Sequence, residues 1–176
     1  METLILSEAG LKTATPGALS SLKKLRTLNL SRNQLGVLVQ TTFQNLEKLE
    51  ILDLSFNRLT ALPPGIFNSS RKLSEINLAN NTLGTLDIDV FKGLEQVRLL
   101  NLSGNSLDEN WVKPGIFSGL SNLVVLDLSS NHISRIDAGL LPGWSLAKVL
   151  SCTIFTSGFF WTFRKKLKAE KIISLK

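Results

Sequence analysis

At 176 residues, with 43% hydrophobic and 19% charged side chains, the chain is long enough and apolar enough to bury one ordinary core, which excludes a disordered polypeptide. The formal net charge of +6 points to a polyanion only until it is divided along the chain: Arg164, Lys165, Lys166, Lys168, Lys171 and Lys176 face Glu170, so five of the six net charges sit in the last thirteen residues. The rest has no electrostatic footprint for nucleic acid, and the single cysteine, Cys152, excludes an intrachain disulfide and a thiol-based zinc site.

Taken in chain order, "METLILSEAG" has an acidic residue at position 2 and an apolar run of only Leu4 to Leu6, which predicts no secretory leader in this stretch. "TLILSEAGL" (3 to 11) is then a faint copy, with Ala9 in the place of asparagine, of a pattern that becomes clear in "LRTLNLSRNQL", "LEILDLSFNRL", "LSEINLANNTL", "VRLLNLSGNSL" and "LVVLDLSSNHI". Their asparagines are Asn33, Asn57, Asn81, Asn105 and Asn131, spaced 24, 24, 24 and 26. Within a unit the alternation predicts a strand, with Leu52 and Leu54 inward and Ile51, Asp53 and Ser55 on the other face. Each repeated asparagine falls where the chain leaves the strand, so its amide is expected to satisfy backbone groups of that turn and the adjoining one. Phe43, Phe67 and Phe91 lie ten residues after an asparagine and Phe117 twelve after, predicting a stacked spine on the convex side, with Leu19 and Leu141 in its place at the two ends. "PPG" (63 to 65) and "KPG" (113 to 115) break any helix on the return path.

One such unit cannot bury its leucines alone, so the units must stack, which gives an α/β-type repeat solenoid: an arc with a parallel β-sheet on its concave face. Residues 1–150 form this solenoid, about six units with the first and last irregular, and residues 151–176 form an apolar and then basic tail. At ~4.8 Å between strands the sheet spans roughly 25 to 30 Å, sized for part of a protein partner. The 24-residue unit followed by "LPPGIF" resembles the extracellular class of the leucine-rich-repeat family, and "ENWVKPGIFSGLSNLVVLDLSSNHISRID" (109 to 137), with Trp111, Val112, Phe117 and Leu120, is similar to a stretch of Toll-type receptor ectodomains. That resemblance implies recognition of a protein or microbial ligand outside the cell, a receptor homo- or heterodimer, and signalling through a cytoplasmic TIR domain. The sequence contains neither a TIR domain nor the cysteine-rich caps of such ectodomains, which makes it a receptor fragment on this reading. An extracellular matrix or adhesion protein and a cytosolic scaffold are the alternatives.

No catalytic constellation stands out, and no cofactor or metal is expected: the only histidine, His132, occupies the variable position after the asparagine, where other units have Gln34, Arg58, Thr82 and Ser106. Function is expected on the concave face. Asn29, Asp53, Asn77, Asn101 and Asp127 form a central column there, read either as a polar ladder that solvates the sheet or as ligand contacts. Beside it run Thr27, Ile51, Glu75, Leu99 and Val125, with Phe56 on another column; apolar Ile51, Phe56, Leu99 and Val125 suggest a protein contact unless flanking loops cover them. The candidate ligand-binding set is Ile51, Asp53, Phe56, Glu75, Asn77, Leu99, Val125 and Asp127. Four glycosylation sequons begin at Asn29, Asn68, Asn80 and Asn101, of which Asn68, following a spine phenylalanine on the outer side, is preferred if the chain is lumenal.

A seventh unit is expected near Trp144, with Leu150 and Cys152 inward, before the pattern dissolves. Residues 149–163 carry no charge, and 146–163 only Lys148, giving roughly 22 to 27 Å of helix against a ~30 Å hydrocarbon core. A membrane segment over 146–163 is therefore marginal, and its Thr, Ser, Phe and Trp content is nearer a strand or an interfacial segment. Three readings stand: a receptor fragment with a divergent end, a genuine anchor that places the repeats outside the cell membrane, and a cytoplasmic solenoid with an interfacial tail.

Overall fold

A computed structural model of the chain describes residues 1–15, 17–108, 110–111 and 115–133, and the backbone of 152–156 and 159–163. Six three-residue strands, β1 (Thr3–Ile5), β2 (Thr27–Asn29), β3 (Ile51–Asp53), β4 (Glu75–Asn77), β5 (Leu99–Asn101) and β6 (Val125–Asp127), lie in one parallel sheet in chain order. Leu28 pairs with Leu52, Leu52 with Ile76, Ile76 with Leu100 and Leu100 with Leu126, so one repeat advances the chain by one strand. The middle residue of β2 to β6 is buried and its neighbours face outward, because one side of the sheet covers the leucine core and the other meets solvent. β1 belongs to the same sheet, so the faint first copy of the pattern is a true unit.

The return arms run through successive i to i+3 turns, such as Gln44 N–H to Thr41 C=O at 3.1 Å and Leu46 N–H to Phe43 C=O at 3.3 Å. These turns press the phenylalanines inward. Phe43, Phe67, Phe91 and Phe117 are fully buried and stack with centroids 6.2, 6.4 and 6.0 Å apart, and Trp111 of the longer unit meets Phe117 edge-on at 5.9 Å. Gly119 sits where that spine and the neighbouring arm come closest: a Cβ there would lie 2.2 Å from the Phe91 carbonyl oxygen. Leu19 is partly buried against the N-terminal end of the core, whereas Leu141, Lys113 and Pro114 lie outside the described residues.

Two expectations change. Ser55 is buried rather than open to solvent like Ile51, because the strand ends at Asp53 and the Ser55 hydroxyl turns back to donate to Asp53 Oδ1 at 2.6 Å. In the tail, β7 (Cys152–Thr156) and β8 (Phe159–Phe163) form an antiparallel pair in which Cys152 faces Phe163. Cys152 thus joins a separate two-stranded sheet rather than extending the parallel one as a seventh unit, and these residues take strands where a spanning helix was weighed. Thr, Phe, Ile and Trp favour extended backbone, which agrees with that outcome. Among the described residues no helix is long and apolar enough to cross a membrane. Leu150 and the rest of 134–151 lie outside the described residues.

Candidate functional site

The concave face is built from three outward columns, each held by a different device. The first column, Thr27, Ile51, Glu75, Leu99 and Val125, opens the strands in register. Ile51 is 37% exposed, Glu75 is exposed, and Leu99 and Val125 are half-buried. Glu75 is the register neighbour of both Ile51 and Leu99, so the apolar residues of this column fall into two groups with a carboxylate between them.

The second column, Asn29, Asp53, Asn77, Asn101 and Asp127, closes the strands and is half-buried throughout. Each side chain accepts, through Oδ1, the backbone N–H two residues on: Ser31 at 2.8 Å, Ser55 at 2.8 Å, Ala79 at 3.2 Å, Ser103 at 2.9 Å and Ser129 at 2.9 Å. This is an Asx-turn repeated at the ends of β2 to β6. The remaining polar atom of each residue makes no hydrogen bond among the described residues, so the column shapes the turn with one atom and offers the other to solvent or a ligand.

The third column is not apparent from the sequence pattern as a column, although it contains the candidate contact Phe56. Glu8, Arg32, Phe56, Asn80, Gly104 and Ser130 each precede the repeat asparagine or its equivalent, and all have positive φ, between 53° and 64°. Only glycine enters that region without strain, so five non-glycine residues are held there by the repeat geometry on either side. The conformation turns their side chains outward into a row. Arg32 lies with its guanidinium carbon 4.6 Å from the Phe56 ring centroid while its Nε is 3.6 Å from Glu8 Oε1. Phe56 is nevertheless 45% exposed, an accessible aromatic ring beside a cation, and Ile51 stands exposed in the first column of the same unit. The available signal was positional: the residue before each asparagine recurs with the same period.

Behind these columns the repeated asparagines are buried. Asn57 Nδ2 donates to the carbonyls of Leu30, Leu54 and Ser55 at 2.9, 3.0 and 3.2 Å, and its Oδ1 accepts from Leu35 N–H at 3.0 Å. Asn33, Asn81, Asn105 and Asn131 repeat this set, tying each unit to the one before it. His132 is exposed and engages the fold through its backbone N–H, 2.8 Å from Leu107 C=O. Among the sequons, Asn68 and Asn80 are exposed and Asn29 and Asn101 half-buried.

Next to β3–β5 the flank carries a recess of about 630 Å³ lined by Glu50, Arg71, Lys72, Ser74, Gln96 and Arg98. Its one carboxylate is engaged, since Glu50 Oε1 binds Arg26, which also lies 3.7 Å from Glu2. Pairs 24 residues apart are adjacent only because the solenoid stacks them, so neither the recess nor this short ion ladder is legible locally.

The sequence profile described as Leucine rich repeat matches residues 1–59 and 47–107, and a single Leucine Rich Repeat matches 122–144. The chain belongs to the leucine-rich-repeat family. Among solved structures it is similar to the leucine-rich repeat domain of APL1B, at 28% identity and a TM-score of 0.69 over 76% of this chain. The match covers 39% of that domain's chain, so this protein spans less than half of its structural relative. No curated protein matches the sequence. Leucine-rich-repeat domains are protein-binding modules, and neither comparison indicates an enzyme family.

Proposed function

We propose that this solenoid is the recognition part of a Toll-type receptor ectodomain that binds a protein or microbial ligand through its concave face. The observation that carries the location is the exposed Phe56 with Arg32 held over its ring by Glu8, on the face where Ile51 is also exposed. An aromatic with an adjacent cation, rimmed by half-used carboxamides and carboxylates, is the composition of an interface centre. The Toll-type assignment rests on the likeness at residues 109–137, in which Trp111 is buried against the spine of the longer unit. On this reading the protein acts outside the cell, in innate immune or developmental signalling, within a receptor whose TIR domain is encoded elsewhere in the same transcript.

Two measurements test the two halves of the proposal. Photo-crosslinking residues placed at 51 and 56 should capture partner, and one at Lys92, which is exposed on the return arm, should not. Phe56→Ala should weaken the captured complex by roughly tenfold or more; equal capture from all three positions would sink the concave-face reading. The full-length transcript should encode a transmembrane segment and a TIR domain downstream, and one that encodes a matrix protein would replace the receptor assignment while leaving the binding face in place.

A further inference from the structure

The third residue after the spine phenylalanine is leucine in the neighbouring units: Leu46 after Phe43, Leu94 after Phe91 and Leu120 after Phe117, all fully buried. After Phe67 the same place is taken by Ser70. It too is 0% exposed, and its hydroxyl has no hydrogen-bond partner among the described residues. Backbone geometry does not require the exchange, since Ser70 N–H donates to Phe67 C=O at 2.9 Å and its carbonyl accepts from Leu73 at 3.1 Å, as Leu46 does with Phe43 and Leu49 at 3.3 and 3.1 Å. A buried hydroxyl without a partner is unfavourable, and serine forfeits the apolar contacts of leucine as well. Neither the backbone hydrogen bonds nor a side-chain partner accounts for it.

What Ser70 does supply is the hydroxyl of Asn68-Ser69-Ser70. Asn68 is exposed on the return arm, at the turn where its N–H donates to Gly65 C=O at 3.0 Å. The sequons at Asn29 and Asn101 are different in kind. They arise from the wording of the strand itself, and both asparagines are half-buried, with Oδ1 accepting the N–H of Ser31 and Ser103. Asn80 is exposed but sits in the left-handed column against Gly104.

We propose that Asn68 is an N-glycan acceptor and that Ser70 stands in a leucine position because it completes the acceptor sequence. The amide nitrogen of Asn68 attacks the anomeric carbon of an oligosaccharide carried on a lipid pyrophosphate. The new carbon–nitrogen bond replaces the carbon–oxygen bond to the pyrophosphate, which leaves with the electron pair, and the amide nitrogen gives up one proton. Transfer acts on the chain before it folds, so burial of the Ser70 hydroxyl in the finished solenoid does not obstruct it, and exposure of Asn68 lets the glycan remain in solvent afterwards. The glycan stands on the return arm, away from the sheet, which leaves the concave columns clear. This rests on the extracellular reading above for its compartment but on Ser70 for its position.

The whole chain is expressed in animal cells behind a cleavable secretion leader, and the peptide containing residue 68 is weighed before and after glycosidase treatment of the denatured protein, so the readout is independent of folding. The wild type and Ser70→Thr should carry a glycan there, Asn68→Gln and Ser70→Leu should carry none, and Ser70→Leu should unfold at higher urea than the deglycosylated wild type. Removal of the leader certifies entry into the lumen, so an unmodified Asn68 in leader-cleaved wild type overturns the proposal, as does a glycan that persists in Ser70→Leu. A glycosylated Asn68 on a chain whose residues 51 and 56 crosslink to no partner would instead reject the recognition reading alone.

Discussion

Two columns of short polar side chains run through the five units from β2 to β6, four residues apart in each, and they differ in composition. The inner one is asparagine at each of Asn33, Asn57, Asn81, Asn105 and Asn131; the outer one alternates freely between asparagine and aspartate at Asn29, Asp53, Asn77, Asn101 and Asp127. The hydrogen bonds explain the difference. An inner asparagine uses its oxygen to accept from the preceding unit and its NH₂ to donate to carbonyls of two units, so both ends of the amide are required. An outer residue uses only an acceptor oxygen, which a carboxylate supplies equally well. A column that demands a donor admits one residue type, and a column that demands an acceptor leaves a second atom free for other work.

The sharpest way to break this comparison is to exchange the residues between columns. Asn81→Asp keeps the oxygen that accepts from Leu59 N–H at 3.0 Å but turns a carboxylate oxygen toward the carbonyls of Leu54 and Leu78, each 3.0 Å from the present nitrogen, in a position only 6% exposed. Loss of the donors and burial of a charge should cost roughly 3 kcal/mol or more, read as a fall in the urea midpoint. Because neighbouring units are coupled through this amide, the transition should also broaden as the solenoid loses cooperativity across the third and fourth units. An Asn81→Asp variant as stable as wild type would show that the inner column selects asparagine for some reason other than its donors.

The outer column makes the complementary and smaller prediction. Asp53→Asn should change stability by no more than about 0.5 kcal/mol, since Oδ1 still accepts from Ser55, whereas Asp53→Ala should cost about 1 kcal/mol by releasing that N–H and the Ser55 hydroxyl. The same urea titration measures both. If alanine were harmless, the Asx-turn would be incidental and the whole of Asp53 would be available for recognition.

This contrast also marks how far the sequence could be read. The 24-residue spacing placed Leu28, Leu52, Ile76 and Leu100 side by side, and it made the phenylalanine stack inevitable once the leucines were aligned, because a parallel solenoid converts sequence period directly into spatial neighbourhood. Directions beyond the strand were not legible in the same way. Period-2 alternation makes Ser55 a surface residue, yet the strand stops after three residues and the Asx-turn buries Ser55 against Asp53. The left-handed column is hidden for a related reason: arginine, phenylalanine and serine announce no positive φ by themselves, and only Asn80 and Gly104 in the same position hint at it. For the concave face, the sequence supplied the residues Ile51, Glu75 and Leu99 but not the difference in exposure between them, which depends on side chains of adjacent units.

The smallest expected effect concerns Asp108, three residues past Asn105, where the longer unit departs from the regular ones. Its carboxylate accepts the backbone N–H of Asn110 at 2.8 Å and the Asn110 side-chain amide at 3.0 Å, and these bonds hold its pKa below the ordinary carboxylate value of 3.8. A depressed folded-state pKa contributes stability that is present above the unfolded value and is lost as pH falls through the folded one. Stability measured by urea should therefore decline slightly below about pH 4 in the wild type, and the decline should be shallower in Asp108→Asn, whose amide oxygen accepts the same backbone N–H without titrating. The site is open to solvent on one side, so screening keeps the effect small and added salt should reduce it further. Identical acid limbs in the two proteins would mean that the turn entering the longer unit is set by Trp111 packed on Phe117 rather than by the Asp108 carboxylate.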